Sequence, residues 1–306
     1  MLARALVAAL AIECAALLWL GAAIARTAGF GAALATVIAV ALGWRLVLVA
    51  LTYLVAFLTP GHEAEITAAG PVALGFGFLG EWAAFTVLFA AVQPFVRWTM
   101  GPPDRAFGAE DGRPVLLVHG YLCNRGFWFI LARRLGRAGY RVYTIDLEPV
   151  FGGIDAFARQ LDERLGKVRE AVGDRAIALV GHSMGGLVIR AWLRDHDGRG
   201  IAGAVTLGTP HHGTSLAWLG LGSNAMQMRL RSRWLDDLAA SEPRLSYPPV
   251  TAVFSGEDNF ISPQASARLE WATNVPLEGV GHLAMAFSGE IRSRLVGALA
   301  PVHARA

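Results

Sequence analysis

The segment Gly181-His182-Ser183-Met184-Gly185 places a serine between two glycines in a G-x-S-x-G pentad. A serine hydroxyl is a weak nucleophile. It acts when a neighbouring base takes its proton and a carboxylate orients that base. An apolar run from Arg175 to Val180 leads into the pentad, and an apolar helical pattern from Met184 to Leu193 leads out. Strand, sharp turn and helix with the serine at the apex would project its hydroxyl from strained backbone. Glycines on either side would let strand and helix approach closely. The pentad specifies only three of its five positions, so alone it also fits a helix-capping serine between turn glycines. Context and partners must decide.

The base is sought downstream of the serine, with the carboxylate between them in the chain. His282 lies in Gly279-Val280-Gly281-His282-Leu283, just after the last candidate strand, and its glycines permit a loop that reaches back. His196 sits at a helix end and His303 near the terminus. His211 and His212 follow Gly208-Thr209-Pro210 after another strand, which could bring them to the site as lining. For the carboxylate, Asp258 in Ser255-Gly256-Glu257-Asp258-Asn259 follows the penultimate strand, with Glu257 as the neighbouring alternative. Asp146 also follows a strand but precedes the serine. Negative charge developing on a substrate carbonyl needs two preorganised N–H donors. The backbone of Met184 is one. His119-Gly120-Tyr121-Leu122, the loop after the first strand, offers the other, at Tyr121 with Leu122 next.

These residues need a scaffold that brings strand ends together. Val115–Val118, Val142–Ile145, Ile177–Val180, Ala204–Leu207, Val250–Phe254 and Asn274–Leu277 read as strands. Phe127–Arg137 and Ile154–Val172 have helical period between them. In the second, Ile154, Phe157, Leu161, Leu165, Val168 and Val172 share one face. Strands alternating with helices predict a parallel sheet covered on both sides, with sites beyond the carboxyl ends of the strands.

The first 100 residues differ in kind. Of the 27 basic and 24 acidic residues, they hold four of each. Leu2–Ala25, Phe30–Leu58 and Pro71–Val96 each exceed the roughly 20 apolar residues that cross a bilayer. Three membrane helices are therefore expected, at about 2–25, 30–58 and 71–96. Glu13, Arg45 and Glu81 lie within them. The favoured reading is a salt-bridged knot joining the three helices, and the alternative is a polar path. Arg26, Arg97 and Arg105 fall on one side, Arg4 and the acidic loop 59–70 on the other. Positive-inside counting then leans to a cytoplasmic C-terminal domain, while the signal-like N-terminus leans the opposite way. A net charge of +3 is too weak to imply nucleic acid. Cys14 and Cys123 suggest no disulfide framework.

Several segments together resemble the bacterial lipase and esterase branch of the α/β-hydrolases. Val115 to Gly120 resembles its oxyanion strand and loop, and Leu179 to Gly186 its serine turn. Gly208-Thr209-Pro210-His211-His212-Gly213-Thr214 resembles its G-T-P-x-x-G-[ST] segment. Asn224 to Met228 followed by Leu235 resembles the stretch after it, and Gly279 to His282 its histidine loop. The likeness runs over about 113–298 and leaves the apolar N-terminal part outside. It implies an α/β-hydrolase sheet of about six strands with helices on both faces. The expected organisation is a three-helix anchor at 1–100, a linker at 101–112 and a catalytic domain at 113–306, with a short lid at about 215–249. The resemblance makes Ser183 nucleophile, Asp258 acid and His282 base. It implies cleavage of carboxylic esters through an acyl-enzyme, without cofactor or metal. Leu122, His182, His211 and Trp218 are the candidates to touch substrate. A thioesterase, an amidase or a silent membrane scaffold would use the same fold. The expected setting is a bacterial inner membrane, crossed several times, with an ester or lipid-like substrate and no nucleic acid.

Overall fold

The computed structural model describes residues 1–59, 70–196, 198–242 and 248–303. Its strands are β1 (Arg113–Val118), β2 (Tyr140–Thr144), β3 (Ile177–His182), β4 (Ile201–Leu207), β5 (Val250–Ser255) and β6 (Thr273–Leu277). Its helices are α1 (Leu2–Leu58), α2 (Pro71–Val87), α3 (Val96–Met100), α4 (Phe129–Arg137), α5 (Ile154–Val172), α6 (Met184–His196), α7 (Ser223–Gln227), α8 (Arg233–Ser241) and α9 (Gly289–His303).

The strands form one parallel sheet in the order β2-β1-β3-β4-β5-β6. Side chains alternate across it. Val115 and Leu117 of β1 join one buried cluster with Leu131 and Leu135 of α4 and Leu295 and Leu299 of α9. Leu116 and Val118 join the other, with Phe157 and Leu161 of α5 and Leu187 of α6. Burial on both faces is why these strands read as unbroken apolar runs. The expected stripe of α5, Ile154 through Val172, is buried in full. From β1 the chain goes outward to β2 and then crosses back over to β3. The order therefore reverses between β1 and β3, where Val118 stands beside Gly181. Loops leaving these two carboxyl ends diverge and open a crevice.

The apolar part departs from expectation. Among the described residues two helical runs, not three, have the length and hydropathy to cross a membrane: Leu2–Leu58 and Val72–Val92. The first two anticipated spans form one run, broken at Gly29, whose φ of 85° and ψ of 168° are non-helical. The chain folds back there. Glu13 and Arg45 would be roughly 48 Å apart on a straight helix, yet Arg45 donates to both Glu13 oxygens at 2.6 and 2.8 Å. Trp44 Nε1 donates to the same carboxylate at 2.9 Å. Only glycine takes that reversal without strain.

The third stretch is docked on the sheet domain. Gly77, Glu81, Ala84, Leu88 and Val92 are buried along one stripe, while Val72, Phe76, Leu79 and Val87 face outward. Leu88, Val92, Val96 and Met100 lie in the same core as β1 and α4. The packed unit thus begins well before the Gly101-Pro102-Pro103 segment. The expected knot of three charges is a pair: Glu81 takes no part in it and bonds elsewhere. The acidic loop at 59–70 lies almost wholly outside the described residues. The amino group of Met1 pairs with Glu148, so the N-terminus rests against the sheet domain.

Candidate active site

β3 ends at His182 and α6 begins at Met184, so Ser183 alone makes the turn. Its φ is 55°, a left-handed conformation rare outside glycine. Two backbone bonds hold it there. Ser183 N–H donates to the Leu207 carbonyl at 2.9 Å, and Gly186 N–H donates to the Ser183 carbonyl at 3.0 Å. The turn also needs room: a Cβ on Gly185 would run into the Val118 carbonyl oxygen. Strain of this kind costs on the order of 1–3 kcal/mol and persists where the surroundings over-determine it.

His282 follows β6 and Asp258 follows β5. The His282 ring meets Asp258 Oδ2 at 2.8 Å through Nδ1. An ionised carboxylate only accepts, so Nδ1 carries the proton and Nε2 presents a lone pair. Asp258 Oδ1 accepts from the N–H groups of Phe260 and Ile261, each at 2.9 Å, which leaves Oδ2 for the imidazole. Glu257, the alternative acid, turns away. It accepts from Gly279 N–H at 2.6 Å and from the Ser255 hydroxyl at 3.1 Å. Asp146 is engaged by the buried Arg125 guanidinium.

Three histidines surround the serine, and their environments differ. Burial pulls His282 down, but Asp258, and beyond it Glu81, outweigh that and leave it above its usual value. Burial, with His282 nearby, holds His182 well below its usual value. His119 is lowered by burial, and its Nε2 accepts the Leu147 N–H at 3.0 Å. Among these three, only His282 has both a free imidazole lone pair and a carboxylate that stabilises its protonated form. Cys123 also faces the cavity, but burial pushes its thiol up to about 12. It stays protonated at neutral pH and is inert.

Ser183 and His282 face one cavity of about 350 Å³, with an almost wholly apolar lining. Among the described residues the hydrogen-bond partner of the His282 side chain is Asp258 and not the serine hydroxyl, a contact that tightens when substrate binds. Tyr121 and Leu122 also line the cavity, and Leu122 has a φ of 52°. Tyr121 is fixed by its hydroxyl, which donates to the Leu221 carbonyl and accepts the Leu221 N–H, both at 2.9 Å. Met184 opens α6, so its N–H has no partner within the helix.

Of the four candidates to touch substrate, Leu122 and His182 line the cavity. His211 and Trp218 do not. The His211 ring is turned into the core, with Nε2 at 3.0 Å from the Thr206 hydroxyl and Nδ1 against Arg190. Arg190 is itself buried and paired with Glu242 at 2.6 Å. Trp218 is 61% exposed and stacks under the Arg229 guanidinium. From the 215–249 segment, Leu216, Leu219 and Met228 do reach the cavity, whereas Trp234 and Leu235 pack onto the domain. Residues 243–247 of that segment lie outside the described ones. Phe260, Ile261 and Leu283 are further lining residues, each beside a candidate catalytic residue. Phe85 and Phe89 also line the cavity, from the apolar N-terminal part, and nothing in their local sequence announces it.

Residues 113–228 match the family model for the alpha/beta hydrolase fold. Among solved structures, the mature form of a lipase from Bacillus licheniformis is similar, with a TM-score of 0.56 and 20% identity. The match covers 65% of this chain and 99% of that one. Lipase B from Aspergillus fumigatus is similar with a TM-score of 0.51 and 19% identity, covering 58% of this chain and 51% of its own. At such identities the likeness is one of fold. α1 and α2 lie outside the family match. The domain that begins at β1 has the α/β-hydrolase fold.

Proposed function

We propose that the chain is a membrane-held serine hydrolase that cleaves carboxylic esters. The observation that carries this reading is the His282–Asp258 pair, opening onto the cavity where Ser183 is held at positive φ. In this reading His282 Nε2 takes the Ser183 proton as the oxygen attacks the ester carbonyl. The N–H groups of Met184 and Tyr121 receive the oxyanion, and Asp258 stabilises the imidazolium. The imidazolium then protonates the departing alkoxide, leaving an acyl-serine. Water, deprotonated by the same imidazole, attacks the acyl group, and the imidazolium returns that proton to Ser183 Oγ as the acid leaves. The apolar lining favours a hydrocarbon acyl group over a polar one. The lipases of like fold agree with an ester substrate.

The membrane is met by α1. Each arm of its hairpin is longer than the roughly 20 residues needed to cross. Its outer surface carries Ile12, Leu18, Trp19 and Phe30 exposed. A hairpin crosses twice, so the N-terminus and the hydrolase domain share one side of the bilayer. The test is turnover of a p-nitrophenyl ester by the full chain in detergent. Wild type is expected to turn over and Ser183→Ala to fall to background. Undiminished turnover by Ser183→Ala removes the serine mechanism. Turnover of thioesters or amides but not esters reassigns the leaving group.

A further inference from the structure

The apolar N-terminal helices reach the candidate catalytic loop at two separate points. Glu81 of α2 is 0% exposed. Its Oε1 accepts the N–H of Leu283 and its Oε2 the N–H of Ala284, both at 2.9 Å. These amides start the short helical turn Leu283–Ala286, and His282 is its flanking residue. The approach is tight: a Cβ on Gly281 would lie 2.6 Å from Glu81 Oε2. The second point is Asn259. Its Oδ1 accepts the backbone N–H of His282 at 3.3 Å, and its Nδ2 donates to Thr52 Oγ1 of α1 at 2.6 Å. The Thr52 hydroxyl donates in turn to the Val49 carbonyl at 2.7 Å. Nearby, the Ser262 hydroxyl donates to the Ala56 carbonyl at 3.2 Å. Between these holds, Phe85 and Phe89 stand in the wall of the cavity.

A passive anchor has no need of this. A carboxylate within an apolar helix is costly wherever it stands. Here it meets two amides immediately after His282, and no basic side chain is hydrogen-bonded to it among the described residues. We propose that α1 and α2 are working parts of the active site: Glu81, seconded by Thr52 through Asn259, is a positioning residue that holds the His282 loop, and Phe85 and Phe89 form the wall on which the substrate's acyl chain lies. The proposal rests on His282 being the base. It makes the hydrolase domain dependent on helices outside the family match. It also places the acyl chain against a helix that carries an outward apolar face, so the acyl group favoured is one drawn from a lipid rather than a short polar acid.

The test uses the full chain in detergent with p-nitrophenyl esters of increasing length. Glu81→Gln keeps the shape but replaces one acceptor oxygen with a donor. Loss of loop geometry is expected to lower kcat by about 10²-fold, with KM for a short ester little changed. The titratable groups that act on the His282 ring are Asp258 from the loop after β5, Glu81 from α2 and His182 from β3. Burial raises the Glu81 carboxyl to about 7, so its charge supports His282 only in part, and Glu81→Gln is expected to move the acid limb of kcat/KM to lower pH by less than Asp258→Asn does, a shift that a merely structural clamp would not give. A folded Glu81→Gln with unchanged kcat and an unchanged acid limb overturns the proposal. Should that variant fail to fold, Thr52→Val and the pair Phe85→Ala/Phe89→Ala decide. Thr52→Val is expected to lower kcat several-fold, and the pair to weaken selection for long acyl chains. Wild-type behaviour in both overturns the proposal. His282→Ala separates the two claims: full activity there defeats the assignment of the base, whatever the Glu81 variants do.

Discussion

Asp258 is fixed before it meets His282, because two backbone amides occupy its other oxygen. Its carboxylate then decides both the tautomer of the ring and how readily the ring holds a proton. His282 stands above its usual value for that reason. A general base works when neutral, so activity is expected to fall as pH drops through a midpoint above the usual histidine value of about 6.5. Asp258→Asn leaves the shape and removes the charge. It is expected to cost about 10⁴-fold in kcat, as at other such triads, and to move the acid limb of the residual activity downward. A pH-rate profile of the variant checks both. The convergence of Ser183, Asp258 and His282 was legible in the sequence because each lies within five residues of a strand's end in a glycine-bearing loop, so the signal is local. His211 was misleading for the same reason. It too follows a strand and glycine, but the buried Arg190 and Thr206 draw its ring into the core. Glu81 read as one charge among three in apolar helices. Its partners lie more than 200 residues away, and no spacing rule reaches that far.

At the level of elements, helix assignments held because each helix buries one periodic face, and strand assignments because both strand faces are buried between turn residues. α5 runs Ile154–Val172, as its stripe predicts, and all six strands stand where apolar runs between turn residues placed them. The apolar N-terminal part carries no such pattern, since its helices are hydrophobic on every side. Only Gly29, hidden among other glycines, turns α1 into a hairpin. Gly21 and Val37 are neighbours across that hairpin, with a Cβ at 21 lying 3.1 Å from Val37 Cγ2. In a straight helix they would be roughly 24 Å apart. In a Cys14→Ser background, Gly21→Cys/Val37→Cys is expected to cross-link on oxidation. No cross-link under conditions that oxidise a control pair would mean that the arms do not pack. α6 offers a stability test. Arg190 is bound to Glu242 by two bonds of 2.6 and 2.8 Å with both side chains buried. Arg190→Ala leaves Glu242 uncompensated and is expected to destabilise the domain by about 3–5 kcal/mol, read as a lowered unfolding midpoint.

The molecule as a whole is an α/β-hydrolase-fold domain whose cavity wall is completed by helices from its apolar N-terminal part. Composition divides the chain near residue 100, but packing does not: Leu88, Val92, Val96 and Met100 belong to the core of the sheet domain. Met1 returns to the same domain at Glu148. Reporters fused at the N-terminus and at the C-terminus are therefore expected on one side of the membrane, and a reporter inserted at Gly29 on the other. The chemistry itself is tested most directly by a fluorophosphonate, which reacts only with a serine activated by a working base and oxyanion site. Full-length protein is labelled, digested and read by mass spectrometry. A single adduct on Ser183, absent from Ser183→Ala and strongly reduced in His282→Ala, is the expected result. A folded wild type that takes no label, or one labelled at another residue, contradicts the assignment of Ser183 as the nucleophile.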